Sequence, residues 1–345
     1  MPTVNPPVKS PMSLHFVISY ADWPDSDQCR FITTGLDLPA AALLCGRGER
    51  LPAHKQTVEA WLAGRFGMAH LPSAALTLGL DQPAAKAGFW LRADPVHLKI
   101  ERDGLLLFDA HHFQIAQAEA DALVAGLNSV FGEDGMLFVA ATPTRWYLRL
   151  PADPQLVWTS LDAAIGRDIN TLLPKGKDAL QWHRLLNEIQ MYLYTHAVND
   201  KRSDAQTINS LWLWGGSDYP VLETPVVPGL PVYADDLLLR GLMHIGGADV
   251  QPLPASAAAL PDGDALVMLD HLRLGACYGN AHDWREGWLA LEKNWFAPLL
   301  ADLKSGKRKS LAITFPELGL ALQTDRSLRW KIWQKPKFPW DFAPG

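Results

Sequence analysis

The sequence predicts an α/β protein: a mostly parallel sheet with helices on both faces, plus a small inserted α+β module. Three observations carry this reading. Residues 14–20 (LHFVISY) and 264–270 (DALVMLD) are short apolar runs of the kind found in buried strands. Stretches with helical spacing of apolar residues alternate with such runs along the chain. Residues 88–151 break this alternation and read β-β-α-β-β.

The elements follow in order. Residues 14–20 form the first buried strand, and 21–27 read as a loop. Asp37 is placed to cap a helix beginning near Pro39, since proline is tolerated in a first turn. A short helix is expected over 57–66. In the module, residues 96–102 alternate apolar and polar, then Asp103-Gly104 marks a hairpin turn into 105–108. Residues 115–130 are a helix, and 136–141 and 145–150 are strands. Residues 178–195 are a helix with Asp178 as a possible cap. Residues 208–214 are a strand that Gly215-Gly216 should end. Residues 231–243 pass from strand to helix, with Asp235-Asp236 at the helix start. Residues 282–303 form a long helix carrying Trp284, Trp288 and Trp295 on one stripe, with Pro298 able to kink or shorten it. Residues 311–315, 318–324 and 328–333 alternate like strands. The expected division is a core over 12–87 and 152–345, the module over 88–151, and a disordered N-terminus over 1–11.

Composition bounds the function. The chain has 345 residues, 48% hydrophobic and 20% charged, enough to bury a core. The net charge of −6 speaks against a general binder of nucleic acid or anionic membrane. Three cysteines without a C-x-x-C pair argue against a disulfide framework. Residues 1–11 lack the apolar run of a signal peptide, and no stretch of 18 apolar residues occurs. The expectation is a cytoplasmic protein.

One segment concentrates polar chemistry. A long helix leads into His196, Asn199 and Arg202, and a strand carries Asn209 and Trp214 before Gly215-Gly216. Ligands of open α/β sheets bind beyond the carboxyl ends of strands, and Arg202 suits a phosphate or carboxylate. The alternative is that the asparagines satisfy loop backbone, Arg202 is solvated and the glycines only turn the chain. Asp270, closing an apolar strand before His271, is open to the same two readings. Adjacent His111 and His112 would point different ways on a strand, which disfavours a shared metal.

The spacing resembles the motif H-P-V-N-x-x-R, then N, then R/W-G-x-G, of the archaeal-type cofactor-independent phosphoglycerate mutases. It is nearer a bacterial RpfE-like branch whose strand ends N-S-L-W-x-W-G-G. Ala197 stands at the motif's proline. The resemblance implies an alkaline-phosphatase-like fold and chemistry with two divalent metals, such as Mn or Zn, and a Ser or Thr phosphoryl carrier. Two metals need several converging carboxylates and imidazoles. Here Tyr20-Ala21-Asp22 stands where the family has Asp-Gly. Gly279-Asn-Ala-His282-Asp283 stands for its G-H-D-G, and Tyr278 for an earlier Asp. Pro316-Glu317 stands for its late Asp-His, and Thr57 and Ser73 are only nominal nucleophiles.

The resemblance therefore implies a pseudoenzyme: the family's frame without cofactor or metal, with a binding or regulatory role toward a small anionic or phosphorylated ligand or a protein partner. The expected pocket residues are Arg92, Arg145, His196, Asn199, Arg202, Asn209, Trp214 and Asp270. Arg92 and Arg145 come from the module, which in the family covers the substrate. One alternative is a divergent metal-dependent mutase or phosphatase rebuilt from Asp22, Asp270, His271 and His282. Another is an interaction module using a Trp-rich surface, because aromatics concentrate at interface cores. The 14 tryptophans read mainly as packing, with Trp330, Trp333 and Trp340 fastening the C-terminal tail and Trp214 at a pocket.

Overall fold

Residues 14–18 are β-branched, aromatic and apolar, and they form a strand hydrogen-bonded on both sides. A computed structural model of the protein describes residues 14–23, 25–102 and 104–342. The expected disordered segment 1–11 and the turn residue Asp103 lie outside the described residues.

The strands are β1 (Leu14–Ile18), β2 (Glu49–Leu51), β3 (Gly88–Glu101), β4 (Gly104–Phe108), β5 (Leu137–Ala140), β6 (Trp146–Leu150), β7 (Ser210–Tyr219), β8 (Val232–Tyr233), β9 (Leu266–Leu269), β10 (Ser310–Phe315) and β11 (Leu320–Asp325). The helices are α1 (Ser26–Ile32), α2 (Pro39–Arg47), α3 (Val58–Arg65), α4 (Ser73–Asp81), α5 (Gln117–Phe131), α6 (Leu161–Ala164), α7 (Ala179–Tyr194), α8 (Leu237–Ile245), α9 (Arg273–Cys277), α10 (Ala281–Leu291) and α11 (Ala297–Ser305).

The chain divides into two units. The first holds residues 1–65, 227–240 and 248–345. Its six-stranded sheet has the order β2-β11-β10-β1-β9-β8. The inner strands β10, β1, β9 and β8 are parallel, while β11 and β2 add antiparallel at one edge. Helices lie on both faces, because alternate side chains of β1 meet different helices. Phe16 packs edge-on against Trp295, and His15 packs edge-on against Trp61 of α3. The predicted α/β class with a mostly parallel sheet is what this unit shows.

Its core is aromatic. Trp23, Trp284, Trp288 and Trp340 form a chain of ring contacts with centroids 5.3–5.9 Å apart. Trp284, Trp288 and Trp295 are fully buried here, which removes them from any interaction surface. The helix they occupy is interrupted by a π-helical turn at Glu292–Phe296, directly before Pro298 in the first turn of α11. That extra turn delivers Glu292 to the start of α2. Its carboxylate accepts hydrogen bonds from Ala40 N–H at 2.7 Å and Ala41 N–H at 2.9 Å. Asp37, the expected cap, is exposed; the cap position belongs to Leu38, which has no side-chain acceptor. The expected strand over 328–333 does not form. A 3₁₀ turn at Arg326–Arg329 replaces it, because β11 already closes against β2.

The second unit holds residues 66–226 and 241–247. It contains the predicted β-β-α-β-β succession, from β3 to β6. It reaches beyond the expected boundary of 88–151 because β7 pairs antiparallel with β3 along nearly its whole length. The sequence placed β7 in the parallel sheet and ended it at Gly215. The structure carries it on to Tyr219, with a register shift opposite Trp90 and Arg92. Gly215 has φ +67°, and a Cβ there would lie 2.9 Å from the Ser73 Cβ. Its closeness serves the backbone of α4.

Candidate functional site

The sequence-expected pocket residues of the second unit are each engaged by the protein itself. Asn209 Oδ1 accepts from Leu98 N–H at 2.7 Å and its amide donates to Leu98 O at 2.8 Å. This clamps the start of β7 to β3. Asn199 does the same for the loop after α7: it donates to Leu193 O and Ile208 O and accepts from Ile208 N–H. His196 caps the short turn 197–199 by accepting from Val198 N–H. Arg202 donates to Gln114 O at 2.6 Å and pairs with Glu119 at 2.9 Å.

Arg92, Arg145 and Trp214 are brought into one network. The Arg92 guanidinium pairs with Asp94 at 2.6 Å and lies between the rings of Tyr147 and Trp214, 5.4 and 5.2 Å from their centroids. Trp214 Nε1 donates to the second Asp94 oxygen at 2.7 Å. Arg145 makes a two-pronged pair with Asp81, at 2.8 and 2.6 Å, and the Tyr147 hydroxyl donates to Asp81 at 2.7 Å. Burial works against the Asp81 carboxylate, but hydrogen bonds from Arg145 and Tyr147 outweigh it and hold the carboxyl below its ordinary range. Thus Arg92, Arg145 and Arg202 are each already neutralised by a carboxylate. The residue types were legible; their pairing with acids distant in sequence, Asp81 and Glu119, was not.

Asp270 lies elsewhere, at the carboxyl edge of the parallel sheet in the first unit, where open α/β sheets bind ligands. β9 ends at Leu269 and leads to Asp270 and the exposed His271. β1 leads through Ser19 to Tyr20 and Asp22, and β10 leads to Pro316 and Glu317. Tyr20 has φ +60°, a conformation costly for a bulky residue. It is held by two hydrogen bonds: its N–H donates to Glu317 Oε1 at 3.0 Å, and its carbonyl accepts from Trp284 Nε1 at 3.0 Å. Asp22 pairs with Lys55 at 2.6 Å, and the Lys55 side chain is largely exposed. Gln56 N–H donates to Pro316 O, which brings the Lys55 loop against the Glu317 turn.

Glu317 is the unusual group. Its Oε2 is buried and has no hydrogen-bond partner. Burial pushes the carboxyl up to about 7, helped by nearby Glu59 and Asp22 and opposed by the Tyr20 N–H. Sequence reading noted Glu317 only as a departure from a motif. The rule applied to Asp270, an acid directly beyond a parallel strand, would have found it.

A metal centre does not assemble from the expected donors. Among the described residues, no group of three or more His, Cys, Asp or Glu side chains could hold a metal ion. The proposed set of Asp22, Asp270, His271 and His282 fails for local reasons. Asp22 is taken by Lys55. His282 is exposed in the first turn of α10, where Asn280 Oδ1 caps the helix by accepting from the N–H groups of His282 and Asp283. His111 pairs with Asp109 at 2.9 Å, while His112 stacks beside His97.

No helix among the described residues is long and apolar enough to cross a membrane. No family model matches the chain. No curated protein matches it. Among solved structures it is similar to the cofactor-independent phosphoglycerate mutase from Thermoplasma acidophilum DSM 1728, at 17% identity over 91% of this chain and 90% of that one, with a TM-score of 0.41. It is also similar to the PH0037 protein from Pyrococcus horikoshii, at 13% identity over 90% of this chain and 86% of that one, with a TM-score of 0.45.

Proposed function

We propose that the chain is a binding protein with a phosphoglycerate-mutase-like motif set that does not perform two-metal phosphoryl transfer. Its ligand seats at the carboxyl edge of the parallel sheet, over Tyr20, Lys55, Glu317 and Asp270. One observation carries this reading: the positions where the resembling family needs metal donors hold a capped helix start, a lysine-paired Asp22 and a single half-buried Glu317. A two-metal clamp needs more donors than these.

The ligand class is a small anion, as the motif resemblance implies. The exposed Lys55 ammonium can turn from Asp22 to a carboxylate or phosphate oxygen, and protonation of Glu317 removes a negative charge from this edge. The test is twofold. Metal analysis of the purified protein with assay of Mn- or Zn-dependent mutase and phosphatase turnover should give neither stoichiometric metal nor turnover. Titration with inorganic phosphate and with 3-phosphoglycerate, followed by thermal shift, should show tighter binding below neutral pH than above it. Stoichiometric metal with metal-dependent turnover overturns the proposal.

A second reading rests on Glu317 alone. A carboxyl that exchanges its proton near neutrality suits a general acid–base role in a metal-free reaction. Under that reading Glu317→Gln abolishes a turnover of 3-phosphoglycerate that the parent shows without metal. Absence of turnover in the parent leaves only the binding role.

A further inference from the structure

The segment after β11 is unlike the rest of the surface. Trp330, Ile332 and Trp333 are 69, 76 and 72% exposed, three large apolar side chains within four residues. Around them stand Arg326, Arg329, Lys331, Lys335 and Lys337, with no acid from 326 to 340. Arg329 donates to Lys304 O at 3.3 Å, and Arg326 lies against Gly306. Beyond Gly306, Lys307 is paired with Asp302 and Asp262 at 3.7 and 3.9 Å, so the unpaired basic character belongs to the segment after β11. The net charge of −6 thus averages over a surface that includes this basic, aromatic segment.

The local backbone explains the exposure. The 3₁₀ turn at Arg326–Arg329 buries Leu328 and sends the next residues outward. The Lys331 ammonium donates to Arg47 O, and Lys337 N–H donates to Ala42 O. The loop is therefore pinned to α2 at Lys331 and Lys337, with Ile332 and Trp333 between the anchors and Trp330 just before the first. Arg329 lies over the Trp330 ring at 5.3 Å, keeping a cation beside the indole.

From these features we infer that this loop docks the protein on an anionic lipid surface. Indole rings settle at the headgroup level, and an aliphatic side chain between them adds burial in the acyl boundary. The flanking lysines and arginines meet the negative headgroups, each adding about fivefold in affinity near a charged surface. A second copy of the chain fits poorly, because a two-fold interface here would bring the two basic loops face to face. A nucleic acid would use the cations and rings but gives Ile332 no apolar partner.

The experiment is co-sedimentation of the full chain with extruded vesicles of phosphatidylcholine alone and with added phosphatidylglycerol, at low and high salt. Binding is expected only to the anionic vesicles and should weaken with salt. Trp330→Ala/Trp333→Ala should lower the affinity at least about tenfold. Lys335→Glu, at an exposed side chain, should lower it about fivefold or more with an unchanged melting temperature. The Lys335 variant keeps the test decisive if the double variant fails to fold. The inference is overturned if the parent does not bind anionic vesicles, or if it binds neutral vesicles equally. It is also overturned if Lys335→Glu binds as the parent does, or if a short single-stranded RNA competes the vesicles away through these residues. A dimer in solution that the Trp double variant dissociates would overturn it as well.

Discussion

Glu317 accepts a hydrogen bond from the Tyr20 N–H at 3.0 Å, joining the turn after β10 to the turn after β1. The same carboxylate leaves its other oxygen buried without a partner. The strained Tyr20 backbone and the raised acid are thus two ends of one contact.

The first prediction follows from the proton balance of Glu317. Its folded value of about 7 lies above the ordinary 4.5. Below 4.5 both folded and unfolded chains hold the proton, and no penalty exists. As pH rises to 7 the unfolded chain releases it first, so the native state loses stability. Above 7 the penalty is complete, at most about 3 kcal/mol. Glu317→Gln keeps an acceptor for Tyr20 and removes the charge. It should raise the melting temperature by several degrees above pH 7 and change it little below pH 5. Equal effects at both pH values would refute the assignment.

His15 gives a shift of opposite sense. Its ring bonds to the Thr314 hydroxyl at 2.8 Å and packs against Trp61. Burial, and then the nearby Arg65 charge, lower its pKa to about 4. The unfolded chain takes up a proton near 6.5 while the folded chain does not. Stability from this site is complete above 6.5 and falls as pH drops toward 4. Imidazole NMR resonances of His15 should stay those of the neutral ring as pH falls through 6.5 and change only toward pH 4.

The Arg92–Asp94 pair is buried in the second unit, with Trp214 donating to Asp94. Removing one charge strands the other. Asp94→Ala should cost about 3–5 kcal/mol in urea unfolding, and Trp214→Phe, which removes only the N–H donor and some ring area, about 1–3 kcal/mol. If Arg92 instead served a ligand, Asp94→Ala would be tolerated and would free it for anions.

Glu292 caps α2 from 252 residues away. Glu292→Ala exposes two N–H groups in a dry environment and should cost about 2–3 kcal/mol, whereas Asp37→Ala should be near neutral. Chemical denaturation of the two variants checks the order.

Much of the fold was legible. Apolar runs at 14–20 and 264–270 gave the inner strands, and Asp103-Gly104 with its flanking runs gave the β3–β4 hairpin, because period and turn chemistry are local properties. The stripe of Trp284, Trp288 and Trp295 was read as packing, and the core holds it. Residues 328–333 misled: their alternation is that of a strand, yet the chain turns into a 3₁₀ segment directly after β11, whose free side β2 already occupies. The candidate site was harder. His196, Asn199, Arg202 and Asn209 stood out as residue types, but hydrogen bonding decides whether such residues meet a ligand or the backbone.

By itself the sequence determined the α/β class and the β-β-α-β-β succession, since each follows from residue identity and near spacing. Tertiary structure alone decided that β7 joins β3, that distant acids neutralise the arginines, and that Glu317 accepts from Tyr20 with its other oxygen buried. These depend on which strands pair and how much water each group keeps, and burial is a property of the assembled chain.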